Sequence, residues 1–276
     1  MEKSITISDT VKENMGGEYA IVNGLKIYYE VHGEGEPLIL LHGGVGASEM
    51  FEPLLPALAK THKVIPVHLQ AHGHTSDTNR PLRFESMADD IAGLLKHLDL
   101  EHADILGYSL GGGVALQTAI RHPEIVHKLV LISTPFKRHG FYPEVLEGMA
   151  QVGPESAKFM SQSPLYQLYP DVNWAELFTK LGNLLRQEYD WSEGAAALRP
   201  PLMLIYADAD AISTAHVLEF FGLLGGGRRD AGMDGSLRPA GRLAVLPGMT
   251  HYDVLTYPDL ASIVTSFLEL PMPKAE

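Results

Sequence analysis

The 276-residue chain contains no cysteine. That excludes disulfides, thiolate metal sites and a cysteine nucleophile together, without fixing a compartment. Positive charge is scarce as well: 21 Lys and Arg stand against 34 Asp and Glu, a net charge of −13. Such a surface repels phosphate backbones and anionic headgroups, so neither nucleic acid nor a membrane surface is expected as a partner. Thirteen histidines soften this balance at mildly acidic pH but do not reverse it. No apolar run approaches the ~18 residues that span a bilayer. Residues 1–17 are polar and mixed in charge, unlike a signal peptide, and read as a loose leader of a cytoplasmic protein. Internal repeats and low-complexity tracts are missing too. What remains, 45% hydrophobic and 20% charged residues, is globular composition at a length that suits an α/β enzyme with an insertion.

Apolar runs alternate with helical patterns along the chain. Tyr19–Val22 and Leu25–Val31 read as strands joined by an Asn23-Gly24 hairpin turn. Pro37–Leu41, Val64–His68, Ala103–Leu106, Lys128–Ser133, Pro201–Tyr206 and Arg242–Leu246 read as strands covered on both faces, with Pro66 an objection within the second. Helical spacing falls at Phe51–Lys60, at Met87–Leu98 with Asp89 and Asp90 near its positive end, after Ser109 to about His122, and from Pro258 to Phe267. The alternation predicts an α/β fold with a mostly parallel, doubly wound sheet. Two segments break it. Residues 135–198 are helix-like and rich in aromatics and methionine, and read as a helical cap between a core of residues 18–134 and 199–276. Gly225–Gly241 is glycine-rich with charges of both signs, and reads as a surface loop.

Gly107-Tyr108-Ser109-Leu110-Gly111 carries the chemistry. A chain of this length holds about 0.1 G-x-S-x-G pentapeptides by chance, so context decides. Here a strand feeds a helix through the motif, as in a nucleophile elbow, where a strained turn lifts a serine hydroxyl clear of the sheet. Such a serine needs a base, an orienting carboxylate and an oxyanion hole. Asp208 and Asp210 follow one buried strand and His251 follows the next, each at a carboxyl end, where parallel sheets place ligands. After Pro37–Leu41 comes His42-Gly43-Gly44, a loop whose Gly44 N–H can pair with the Leu110 N–H as oxyanion donors. One such donor is worth ~2.7–4 kcal/mol in the transition state. Gly43 and Tyr108 are candidates to touch substrate, Tyr108 as pocket wall or as packing. His42 reads as a support that holds the oxyanion loop by hydrogen bonds.

Taken together, Leu41-His42-Gly43, the elbow, Asp208-Ala209-Asp210 and Gly248-Met249-Thr250-His251 resemble the α/β-hydrolase superfamily, in particular its capped serine esterases, over residues 19–270. The resemblance implies a Ser109–His251–Asp210 triad, with the second carboxylate of the acid motif catalytic and Asp208 left to cap the following helix. It implies no cofactor. The turn His68-Leu69-Gln70-Ala71-His72-Gly73-His74 departs from the family, which usually carries an acid and an arginine near a Gly-His-Gly. His68, His72 and His74 with Asp77 suggest a metal site only weakly, because no further histidine follows, and none is expected. Of the cap residues Phe159, Met160, Tyr166, Tyr169, Trp174 and Phe178, most are expected in the cap's own core and a minority against substrate. The expected activity is hydrolysis of small to medium hydrophobic carboxylic esters through an acyl-enzyme. Carbon–carbon hydrolases, lactonases, thioesterases and perhydrolases use the same triad, and a non-catalytic receptor can retain it. The expected partner is a small-molecule ester, and a homodimer is compatible with the sequence.

Overall fold

Apolar runs buried on both faces require a central sheet, and the computed structural model, which describes residues 16–271, has one of eight strands. These are β1 (Glu18–Val22), β2 (Leu25–Tyr29), β3 (Glu36–Leu41), β4 (His62–Val67), β5 (Ala103–Tyr108), β6 (Val126–Ile132), β7 (Leu202–Ala209) and β8 (Arg242–Thr250). Their order is β1-β2-β4-β3-β5-β6-β7-β8. β2 pairs antiparallel with β1 and β4, and the six strands from β4 to β8 run parallel. The Asn23-Gly24 turn takes φ of 49° and 81°, a conformation those two residues tolerate. Most of the expected leader, residues 1–15, lies outside the described residues.

The longer helices are α1 (Phe84–His97), α2 (Leu110–Arg121), α3 (Pro143–Ala150), α4 (Trp174–Leu185), α5 (Thr214–Leu223) and α6 (Leu260–Leu268). Side chains alternate across the sheet. Ile39, Leu41, Ile105 and Leu131 pack with α1 and α2, while Leu38, Leu40, Leu106 and Ile132 pack with α6. Each such side chain, removed from water, contributes about 1.5–3 kcal/mol. The two apolar layers therefore hold the parallel strands in register, with their carboxyl ends level.

Two local expectations are corrected. Phe51–Lys60 is not one helix but two short turns, Ser48–Phe51 and Leu55–Leu58, because Pro53 and Pro56 each remove a helical donor. α1 begins at Phe84, so Asp89 and Asp90 sit beyond its first turn and serve tertiary pairs instead: Asp89 with Arg121 and His122, Asp90 with Arg80 and Asn23. Pro66 stays inside β4 because its nitrogen faces the weakly paired β2 side, where its carbonyl accepts from Glu30 N at 3.0 Å. Gly225–Gly241 contains neither helix nor strand.

Between β6 and β7 the chain forms α3, α4 and several short helical turns. Its two stems are tied to each other and to the sheet. Trp191 N donates to Phe136 O at 2.9 Å, Arg138 N to Tyr189 O at 3.1 Å, Tyr142 N to Ala211 O at 3.1 Å and Ser213 N to Gly140 O at 2.9 Å. From α4, Lys180 Nζ reaches Asp77 at 2.6 Å. Tyr169, Trp174 and Phe178 are buried, whereas Phe159 is 85% exposed and belongs to no core.

Several histidines are buried as neutral acceptors. His216 Nε2 accepts from Phe136 N at 3.2 Å, and its ring stacks on Phe136 at 4.3 Å. Burial chiefly lowers His216 and His72 to about 4, and His68 to about 3. Between those values and ~6.5 the unfolded chain binds more protons than the folded one, so stability is complete above pH ~6.5 and falls as pH falls. The urea midpoint should decline steadily from pH 6.5 to 4. His216→Gln, which keeps an acceptor for Phe136 N–H, should shallow that decline. A midpoint unchanged down to pH 4.5 would contradict the account.

Candidate active site

Ser109 joins β5 to α2 with φ 51° and ψ −113°. A non-glycine residue held there stores about 1–3 kcal/mol of strain. Two hydrogen bonds retain it: Ser109 N donates to Ile132 O at 3.0 Å, and Gly113 N to Ser109 O at 3.0 Å. The flanking glycines are required by space. A Cβ at Gly107 would lie 2.3 Å from Gly111 O, and one at Gly111 would lie 2.1 Å from Leu41 O. The helix can start over the ends of β3 and β5 only without those side chains.

His251 follows β8 and reaches both neighbours: Nε2 lies 3.1 Å from Ser109 Oγ, and Nδ1 lies 2.9 Å from Asp210 Oδ1. A carboxylate on that side assigns the proton to Nδ1 and leaves Nε2 as the acceptor for the serine hydroxyl. The Asp210 side chain is 1% exposed. It also accepts from Ser133 Oγ, from Ala207 N at 3.1 Å and from Ile212 N at 3.3 Å. Burial raises the Asp210 carboxyl, but the bonds from His251, Ser133 and Ala207 outweigh it and hold Asp210 below its ordinary range. Ser133 was not singled out from sequence. Its signal is a serine at the carboxyl end of β6, one strand from the acid, with φ 49°.

Asp208 has a different task from the expected helix cap. Its carboxylate accepts from Gly248 N at 3.0 Å and Met249 N at 3.3 Å, which secures the turn that carries His251. The cap of α5 is Ser213, whose side chain accepts from His216 N. Tyr108 is both strut and wall: its hydroxyl donates to His251 O at 2.6 Å, and its ring lines the cavity beside Ser109. A Cβ at Gly43 would lie 2.8 Å from that ring, so Gly43 is glycine to admit Tyr108.

Gly44 and Leu110 also line the cavity beside Ser109. Leu110 opens α2, so its N–H has no partner within the helix, and Gly44 N has none among the described residues. The Gly43–Gly44 peptide is trans, so Gly43 O and Gly44 N–H point in opposite directions. Gly43 O is held by His42 Nδ1–H at 2.8 Å and by Gly46 N at 3.1 Å. His42 is fully buried, accepts Leu69 N at Nε2 at 3.1 Å, and is kept neutral by burial beside His72 and His68. Val45 next to it has φ 58°, a genuine outlier for a β-branched residue. His68, His72 and His74 spend their ring or backbone groups on local hydrogen bonds. Among the described residues no group of three His, Asp or Glu is arranged to hold a metal.

Ser109 and His251 open onto a cavity of about 360 Å³. Its walls are mainly apolar: Phe84 from the start of α1, and Phe141, Phe178, Leu181 and Leu184 from the 135–198 segment. Phe178 is thus the member of the six flagged aromatic and methionine residues that faces the site.

The fold, and a site to which a serine, an aspartate and a histidine come in that order after β5, β7 and β8, point to a hydrolase. A family model described as alpha/beta hydrolase fold matches residues 36–155. The RutD protein of Azorhizobium caulinodans, which carries the name of a carbamate hydrolase, is 31% identical over 225 residues, 72% of this chain and 83% of that one. The 2-hydroxymuconate semialdehyde hydrolase of Pseudomonas sp. strain CF600 is 31% identical over 157 residues, 55% of this chain and 54% of that one. The carboxylesterase CesB of Bacillus subtilis superposes with a TM-score of 0.72 at 20% identity, covering 93% of this chain and 92% of that one, a likeness of fold. The chain belongs to the α/β-hydrolase family. No helix among the described residues is long and apolar enough to cross a membrane.

The two aspartates make opposite predictions. Asp208→Asn keeps an acceptor for Gly248 N and should change kcat by less than about 5-fold. Asp210→Asn should reverse the His251 tautomer and lower kcat by about 10³–10⁴-fold, as loss of an orienting acid does in related triads. Steady-state rates on a chromogenic ester, with melting temperatures to confirm folding, decide between them.

Proposed function

We propose that the protein is a serine hydrolase of small to medium hydrophobic carboxylic esters that works through an acyl-enzyme. The single observation that supports this most is the unbroken line Ser109 Oγ–His251–Asp210 ending on an apolar cavity. In this reading His251 takes the Ser109 proton as the hydroxyl attacks the ester carbonyl, and Asp210 stabilises the imidazolium. Gly44 and Leu110 N–H groups receive the oxyanion, and the positive end of α2 adds to their field. His251 then protonates the leaving alcohol, and a water that it deprotonates releases the acid. No cofactor enters these steps. Residues 135–198 act as the cap over a core of residues 18–134 and 199–276, and their apolar side chains select the acyl group. A carbamate, which RutD is named for, presents a similar carbonyl and is the second class to try.

Wild-type protein should hydrolyse p-nitrophenyl butyrate and take up one fluorophosphonate per chain at Ser109, mapped by mass spectrometry. Ser109→Ala should abolish both while retaining the wild-type melting temperature. Full turnover by that variant would overturn the mechanism. Labelling with a single turnover and no release would favour a receptor instead. A panel of esters, thioesters, lactones and carbamates of graded chain length should peak at medium apolar acyl esters. A peak at short charged ones would overturn the assigned substrate class.

A further inference from the structure

We propose that His72 is a positioning residue for the oxyanion hole, acting through the Val45 peptide; this rests on the serine-hydrolase reading above. Val45 N donates to His72 Nε2 at 3.2 Å, and His72 Nδ1 lies 2.8 Å from Gln70 O. The carbonyl of Gln70 requires the proton on Nδ1, so Nε2 presents its lone pair to the oxyanion loop. That bond holds Val45 at φ 58°, where a β-branched residue does not rest unaided. Gly44 therefore lies between two held peptides: His42 and Gly46 fix the carbonyl on one side, and His72 fixes the N–H on the other. Release of the Val45 N–H lets Val45 relax towards negative φ, which turns the Gly44–Val45 peptide and loosens the aim of the Gly44 N–H.

His72 reaches the loop from a turn in which Ala71 is held at φ 65° and Gly73 takes φ 53°, which glycine adopts freely. His72 is 1% exposed and does not line the cavity, so it acts on substrate only through the loop. The groups facing it are His42, with ring centroids 5.0 Å apart, His68 in the same cluster, and Asp77, which is paired with Lys180. Loss of the Nε2 lone pair by protonation would break the Val45 bond, so the site needs this imidazole neutral.

The test compares His72→Ala with His72→Gln, whose side-chain carbonyl can still accept from Val45 N–H. His72→Ala should lower kcat about 10- to 100-fold, less than outright loss of an oxyanion donor, with KM changed less than about 3-fold. Affinity for a boronic acid that mimics the tetrahedral intermediate should fall in proportion, and His72→Gln should recover most of both. A folded His72→Ala with kcat within 2-fold of wild type overturns the proposal, as does a loss confined to melting temperature or a Gln variant no better than Ala. In the unmodified protein, nitrogen-15 histidine spectra at pH 7 should show His72 as the Nδ1–H tautomer. An Nε2–H form overturns the proposal whether or not any variant folds. Failure of the hydrolase reading shows itself separately, as a wild-type protein that neither turns over esters nor takes up the phosphonate.

Discussion

The site depends on one close approach, that of the first turn of α2 to the ends of β3 and β5. Gly111 stands where a Cβ would touch Leu41 O at 2.1 Å, and Gly107 where one would touch Gly111 O at 2.3 Å. With those side chains absent, the chain can turn from strand to helix within a single residue, and Ser109 takes up the strain. The same approach brings the Leu110 N–H beside the loop that leaves β3. The proposed nucleophile and the proposed oxyanion donors are thus set by one packing contact. Any side chain that pushed α2 away would displace both.

Around that contact, burial and hydrogen bonding divide the titratable groups into two kinds. His42, His68, His72 and His216 are held neutral, chiefly because burial disfavours the imidazolium. Each then serves as a fixed acceptor for a backbone N–H. Asp210 is buried as deeply yet stays ionised, because His251, Ser133, Ala207 and Ile212 all donate to it. A buried charge without such donors costs several kcal/mol. The result is one buried anion directed at one imidazole, His251, while the histidines beneath the His42–Gly46 loop are kept out of proton exchange.

What was legible in the sequence was the part governed by local sterics and chain order. The Gly107–Gly111 spacing, the Asn23-Gly24 turn and the apolar strands each follow from a rule that acts over a few residues. The order of Ser109, the aspartates and His251 located the rest of the candidate site. What stayed hidden depends on which strands become neighbours. Ser133 meets Asp210 only because β6 lies beside β7, and Asp208 secures the His251 turn only because β8 lies on the other side. Asp89 and Asp90 looked like helix-end charges until Arg121, His122 and Arg80 proved to be their partners. Pocket lining was illegible for the same reason: Phe178 and Phe159 are both aromatics of one helical segment, but Phe178 lies on α4, which packs it against the cavity, and Phe159 lies on the short turn Ala157–Met160, which leaves it exposed.

The three glycines at the start of α2 show how fold and site constrain each other. Each costs about 1 kcal/mol of helix propensity relative to alanine. Yet Gly111 faces Leu41, Gly112 faces Thr134 at 1.7 Å from a notional Cβ, and Gly113 faces Phe84 at 2.5 Å. Three elements therefore converge on one helical turn, each from a different side. Leu41 leads into the His42–Gly46 loop, Thr134 leads into the stem of the 135–198 segment, and Phe84 forms a wall of the cavity. A bulkier first turn would make a better isolated helix and would separate those three elements. The weak local propensity is the condition for bringing Ser109, the His42–Gly46 loop and the cavity wall to one point, and tertiary burial along the rest of α2 offsets it.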